Sequence, residues 1–408
     1  MAVQGVLYGI RVLDFTWVWA GPIMCRHLAD YGAEVITVEN PDHIDLARQL
    51  IYKDGEHDPD MAIAYTNFNA GKKSVSLNMA EPEAIDIVKQ LVAISDVVME
   101  SMTPKAMRRW GLTYDDLRQI KPDIIMLSTC MQGQTGPYSM SPGNGAILPA
   151  LAGISEVTGW PDRGPTGQGG PYTDFLAGAM GAAAVMTALV HRERTGEGQY
   201  IDLSQNESSM QFLTPAFLDY SAHGRVASRL GNRRPGYAPH GVYRCAGEAE
   251  SWCTISVRTD TEWQALCEVM GQPDWAQDAK FATRQSREAH VDALDAHLTS
   301  WTSRQSAQEI MERLQHAGVP AAVVHDAAGL DTDPQLAHRQ HYARMQHPCI
   351  GENVIDRYGF RLSATPDAVQ SPAPLLGQHT DYVLRELLGL SQVDIDRLTT
   401  AGVVVAVA

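Results

Sequence analysis

The chain has 408 residues, 44% of them hydrophobic and 20% charged. That is enough for two domains, since single cores stop growing near roughly 250–300 residues. A formal net charge of -16 argues against nucleic acid or an anionic membrane as partner, because the surface as a whole would repel either. Met1 to Gly5 lack the basic and apolar regions of a secretory signal, so the expected location is cytoplasmic.

The first 130 residues alternate strand and helix in the manner of a parallel sheet. Arg11 to Phe15 reads as the first strand. A helix follows Gly21-Pro22, runs through Cys25 to Tyr31 and stops at Gly32, and Glu34 to Glu39 returns as the second strand of a short βαβ unit. Ser74 to Leu77 predicts a third strand, Pro82 opens a helix ending near Ile94, and Asp96 to Glu100 and Ile124 to Ser128 read as buried strands. Open parallel sheets bind ligands beyond the carboxyl ends of their strands. The residues just after Phe15, Glu39, Leu77, Glu100 and Ser128 therefore mark the place to look. Neither a Gly-x-Gly-x-x-Gly nor a Walker motif follows any of them.

Phe175 to Arg194 reads as a long helix of small residues, with Gly178 and Gly181 allowing close backbone approach and Thr195-Gly196 as its stop. Its uncharged part, Phe175 to Val190, is shorter than the roughly 20 residues a bilayer needs, which predicts a buried core helix. Asp174 sits at or beside the N-cap. Capping alone is the ordinary role for such an aspartate. Here Gly169 and Gly170 free the backbone to approach a ligand, and the helix dipole favours the carboxylate anion. An ionised, accessible carboxylate can act as a nucleophile.

From about Val226 the texture changes. Gly231 to Gly236 forms a glycine and arginine loop, equally readable as a linking turn, and Tyr243 to Arg258 alternates like antiparallel strands. Amphipathic helices over Trp263 to Met270, Val291 to Trp301 and Ala307 to His316 precede a closing strand, Val319 to His325. The expected domains are 1–224, a large α/β domain, and 225–330, a small α+β domain. Residues 331–408 return to the large one as polar loops, then a helix from Asp381 to Leu388 and another after Ser391. The six cysteines form no Cys-x-x-Cys pair and read as reduced core thiols. His338, His341 and His347 lack further ligands at metal spacing, so no metal is expected.

Five ordered pieces carry a resemblance. They are Val12-Leu13-Asp14-Phe15 to Ala20-Gly21-Pro22, Phe68-Asn69-Ala70-Gly71-Lys72-Lys73-Ser74, and Asp96 to Glu100. Asp174 with Thr195-Gly196-Glu197-Gly198-Gln199 follows, and then Pro374-Leu375-Leu376-Gly377-Gln378-His379-Thr380. In this order and spacing, nearly end to end, the chain resembles the class III CoA-transferase family, which includes formyl-CoA transferase and the carnitine and bile-acid CoA-transferases.

The resemblance implies a large domain with a Rossmann-like parallel sheet, a smaller α+β domain and an interlocked dimer. It makes Asp174 the nucleophile, acylated as a mixed anhydride and then carrying CoA as an aspartyl thioester. It puts acyl-CoA and carboxylic acids forward as substrates, with coenzyme A held near Val18, Trp19, Ala20, Asn40, Asn69, Lys72, Arg109 and Asn144. Lys72 and Arg109 would meet its phosphates. Gly169, Gly170 and Gly231 are candidates for stabilising oxyanions. The chain departs from formyl-CoA transferase in having Trp19 for glutamine, Asn40 for arginine and Asn144 for tyrosine. A bulkier, aromatic acceptor such as a benzylsuccinate-like dicarboxylate then suits Trp17 and Trp19 as well as core packing does, with succinyl-CoA among the donors. Two rivals remain. An α-methylacyl-CoA racemase is disfavoured because Gly143-Asn144-Gly145 stands where that family has its histidine and aspartate. The other is a CoA-binding subunit that works in a hetero-oligomer with a paralogue.

Overall fold

The computed structural model describes residues 5–55, 57–103, 105–247, 250–367 and 369–405. Four of the five residues behind the leader reading, Met1 to Gln4, lie outside them. The chain divides into two compact units. The first comprises Met1–Ser155, Gly167–Val226 and His338–Ala408, and the second Glu156–Thr166 and Ala227–Ala337.

The first unit is built on a six-stranded, all-parallel sheet in the order β3-β2-β1-β4-β5-β6. Its strands are β1 (Arg11–Phe15), β2 (Glu34–Glu39), β3 (Lys73–Ser76), β4 (Val97–Glu100), β5 (Ile125–Cys130) and β6 (Tyr200–Ser204). This is the doubly wound order, which places a topological switch between β1 and β4. Side chains alternate across the sheet. Leu13 and Phe15 join one core with Val88 and Leu91, from helix α2 (Pro82–Ala93), and with the carboxyl-terminal Val383 and Leu384. Val12 faces the opposite core with Met24 and Leu28 of helix α1 (Ala20–Asp30).

That second core also holds Ala177 and Val185 of the longest helix, Tyr172–Thr195, here α4, which follows α3 (Tyr114–Ile120). A Cβ built on Gly178 would lie 2.5 Å from Ile23 Cγ2, and one on Gly181 would lie 2.3 Å from Met24 Sδ. The small residues thus let α4 rest on α1. At 24 residues α4 is longer than expected and long and apolar enough to cross a membrane by length and composition alone. Its packing on α1 makes it a core helix of this unit.

Some expectations change. The strand β6 lacks a run of apolar residues because it lies at the sheet edge, half exposed. The polar stretch after residue 331 contains an antiparallel hairpin, Tyr342–His347 with Gly351–Asp356. The helix expected from Asp381 is a π-helix, Tyr382–Leu387. Cys349 is exposed, unlike the buried Cys25, Cys245, Cys253 and Cys267.

The second unit has a three-stranded antiparallel sheet of His240–Arg244, Trp252–Ser256 and Ala321–Val323. Helices Asp260–Val269, Val291–Thr302 and Ala307–His316 supply Trp263, Leu266, Leu294, Leu298, Ile310 and Leu314 to its core.

Candidate active site

The chain turns into α4 at Pro171, which occupies the N-cap position. Asp174 is therefore the third helical residue rather than the cap, and its N–H donates to Pro171 O at 3.0 Å. Its side chain is also not freely accessible, since only 8% of the residue is exposed. Burial pushes the carboxyl up to about 6, against the pull of the helix dipole. The group stays mostly ionised at neutral pH. The carboxylate lies against Gly145, where a Cβ would come within 2.2 Å of Asp174 Oδ2. A side chain there would displace it.

Asp174 lines a cavity of about 790 Å³. Its wall includes Val18, Trp19 and Ala20, past the end of β1, together with Met131, Asn144 and Gly170. A second cavity, of about 1030 Å³, is lined by Asn40, beyond β2, and by Lys89 and Arg109. The two cavities share Trp17, Val18, Ser101, Met102 and Thr103. Trp17 and Ser101 are tied together, the Trp17 N–H donating to Ser101 Oγ at 2.9 Å. The walls draw on residues past all six strand ends, Gln205 after β6 among them, as expected of a parallel sheet.

Trp19 both packs and lines the cavity. Its ring meets Phe68 edge-on at 6.0 Å, and Phe68 meets Phe175 at 5.8 Å. Its indole nitrogen is buried with no hydrogen-bond partner among the described residues, a donor that suits a polar ligand group.

Lys72 requires a correction. Its side chain is fully buried, and Nζ donates to Asp14 Oδ2 at 2.9 Å and Asn69 Oδ1 at 2.8 Å. The Asn69 amide nitrogen in turn donates to Tyr65 O. These buried groups satisfy one another, and Lys72 lines neither cavity. The glycines also change standing. The Gly170 N–H donates to Gln168 O, and Gly231, in the second unit, donates its N–H to Gly159 O, so both are engaged. Gly169 is exposed. Ser101 and Met131 lie just past the strand ends that the sheet order marks, whereas nothing in the local sequence of Gly145 shows that it meets Asp174. Among the described residues no group of three or more His, Cys, Asp or Glu could hold a metal.

A doubly wound sheet, paired cavities past its strand ends and one buried carboxylate at a helix head define an α/β enzyme with a carboxylate-bearing pocket. The chain belongs to CoA-transferase family III, whose family model matches residues 7–380, and it is a CoA-transferase acting on acyl-CoA and acid substrates. It is 35% identical over 396 residues to the succinyl-CoA–D-citramalate CoA-transferase of Chloroflexus aurantiacus, covering 97% of each chain. The beta subunit of succinyl-CoA–L-malate CoA-transferase from the same organism is 33% identical over 401 residues, with 98% of each covered. Among solved structures, a CAIB/BAIF family protein from Brucella suis superposes with a TM-score of 0.86 at 30% identity, over 94% of this chain and 100% of that one.

Proposed function

We propose that the enzyme moves CoA from an acyl-CoA donor, succinyl-CoA foremost, to a dicarboxylic acid through covalent intermediates on Asp174. The observation that carries this reading is the Asp174 carboxylate in a cavity that shares a wall with a second one, which Arg109 and Lys89 line together with Glu39 and Asp86. An Asp174 oxygen attacks the donor thioester carbonyl, the C–S bond breaks, and CoA leaves as the thiolate. The thiolate then attacks the aspartyl carbonyl of the mixed anhydride, giving aspartyl-CoA and releasing the donor acid as its carboxylate. The acceptor carboxylate repeats these steps in reverse, and Asp174 is regenerated. No proton is consumed, so the site needs no general acid, and thioester-level energy is kept throughout.

In this reading Arg109 and Lys89 meet the phosphates of CoA, and Trp17 and Val18, common to both cavities, flank the pantetheine arm. The named succinyl-CoA relatives favour dicarboxylates as acceptors. Trp17 and Trp19 give apolar wall for a larger acceptor, up to an aromatic succinate. Asn144 and Gly145 offer no acid or base for α-proton exchange, which weighs against racemisation. We take the working form to be an interlocked homodimer, with pairing to a paralogue as the second reading, since one relative is named as a beta subunit.

The test is purified chain with succinyl-CoA and a panel of dicarboxylic and aromatic acids, with new CoA esters detected by mass spectrometry. New esters from the chain alone support the proposal. Activity only after a second protein is added supports the subunit reading, and α-proton exchange without transfer supports a racemase.

A further inference from the structure

Immediately past β1 the backbone takes a turn that valine resists. Val18 has φ +69°, in the left-handed region where a β-branched residue is an outlier that its surroundings must hold in place. The holder is Asp45. The Val18 N–H donates to both of its carboxylate oxygens, at 3.0 and 3.1 Å, and Asp45 is only 5% exposed. Asp45 Oδ1 also accepts the Ala47 N–H at 2.9 Å, capping the short turn Leu46–Gln49. Leu46 and Leu50 line the Asp174 cavity, whereas Val18 lines both cavities. One buried carboxylate therefore fixes two pieces of wall.

We infer that Asp45 is a positioning residue for CoA transfer: its carboxylate latches the left-handed Val18 peptide and so sets the loop, Trp17 to Trp19, that walls both cavities. This rests on the proposed transfer chemistry. Asp45 itself lines neither cavity among the described residues and acts only through the loop. Without the carboxylate, the valine relaxes toward negative φ and carries the tryptophans with it.

A glycine at 18 adopts positive φ freely, which gives the test its logic. Steady-state transfer and calorimetric titration with CoA are measured for D45A, D45N, V18G and D45A/V18G, with Tm recorded for each. D45A is expected to lose about 10- to 100-fold in kcat/KM and to bind CoA more weakly. D45N, which keeps one acceptor oxygen, is expected to fall between D45A and the wild type. The double variant is expected to regain about tenfold over D45A in both readouts, which a merely structural role for Asp45 would not produce. Wild-type behaviour of D45A, or a double variant no better than D45A, overturns the latch. Should D45A fail to fold, D45N against D45N/V18G decides the matter in the same way. If the wild type binds CoA but transfers nothing, the functional reading falls and the titrations still decide the latch. Absence of CoA binding by the wild type overturns both.

Discussion

Burial and the helix dipole pull the Asp174 carboxyl in opposite directions, and burial prevails, placing it near 6. The folded-state value lies above that of an unfolded carboxylate. Ionising Asp174 therefore costs stability as pH rises from about 4 to about 6, and the cost persists above that window. Thermal unfolding of D174N against wild type should show an advantage for the variant that grows across this window and then levels. A pH-independent difference would contradict the assignment. Gly145→Ala should lower kcat by about 10- to 100-fold with little change in Tm, because its methyl would fall on Asp174 Oδ2. Lys72→Met leaves the buried Asp14 without its cation and should cost about 3–5 kcal/mol in denaturant unfolding. Arg109→Ala, at an exposed residue, should spare stability and raise KM for acyl-CoA several-fold at low salt. The glycines before Asp174 and the uncharged run behind it single this residue out in the sequence, and the structure puts it in a cavity wall. Sequence alone does not separate Lys72 from Arg109, because a lysine beside a strand reads alike whether it pairs with a buried aspartate or with a ligand.

At the scale of elements, the contact of α1 with α4 is the join that aims Asp174. Gly178→Val should force Ile23 aside at a cost of about 1–3 kcal/mol, and transfer should fall with it because Asp174 begins the same helix. Thermal melts and kinetics on one preparation check this, and an unchanged Tm would show that the interface yields. Elements with strong apolar patterning were legible. The strands β1 and β2 match the expected Arg11–Phe15 and Glu34–Glu39. The hairpin of Tyr342–His347 and Gly351–Asp356 is not legible, because the buried His347 and Asn353 and the exposed Val354 break its alternation. The start of α4, at Tyr172, is unmarked in the sequence because a proline, Pro171, holds the N-cap position in place of a hydrogen-bonding side chain.

At the scale of the whole molecule, a net charge of -16 coexists with a cavity in which Lys89 is paired with Asp86 and Arg109 is exposed, so binding of an anionic thioester should weaken with salt chiefly through Arg109. Helix Thr214–His223 has no buried residue and leaves Phe217, Leu218 and Tyr220 more than half exposed. Apolar surface of this kind is commonly covered by association. Light scattering of the purified chain should then return twice its 44.6 kDa, and a monomer active in transfer would remove the dimer from the account. In the proposed reaction, CoA transfer passes through Asp174. Trapping with hydroxylamine during turnover, followed by peptide mass spectrometry, tests it most directly. A hydroxamate on Asp174 is expected; full turnover with that residue unmodified, or with the label on another side chain, would rule out covalent transfer through it.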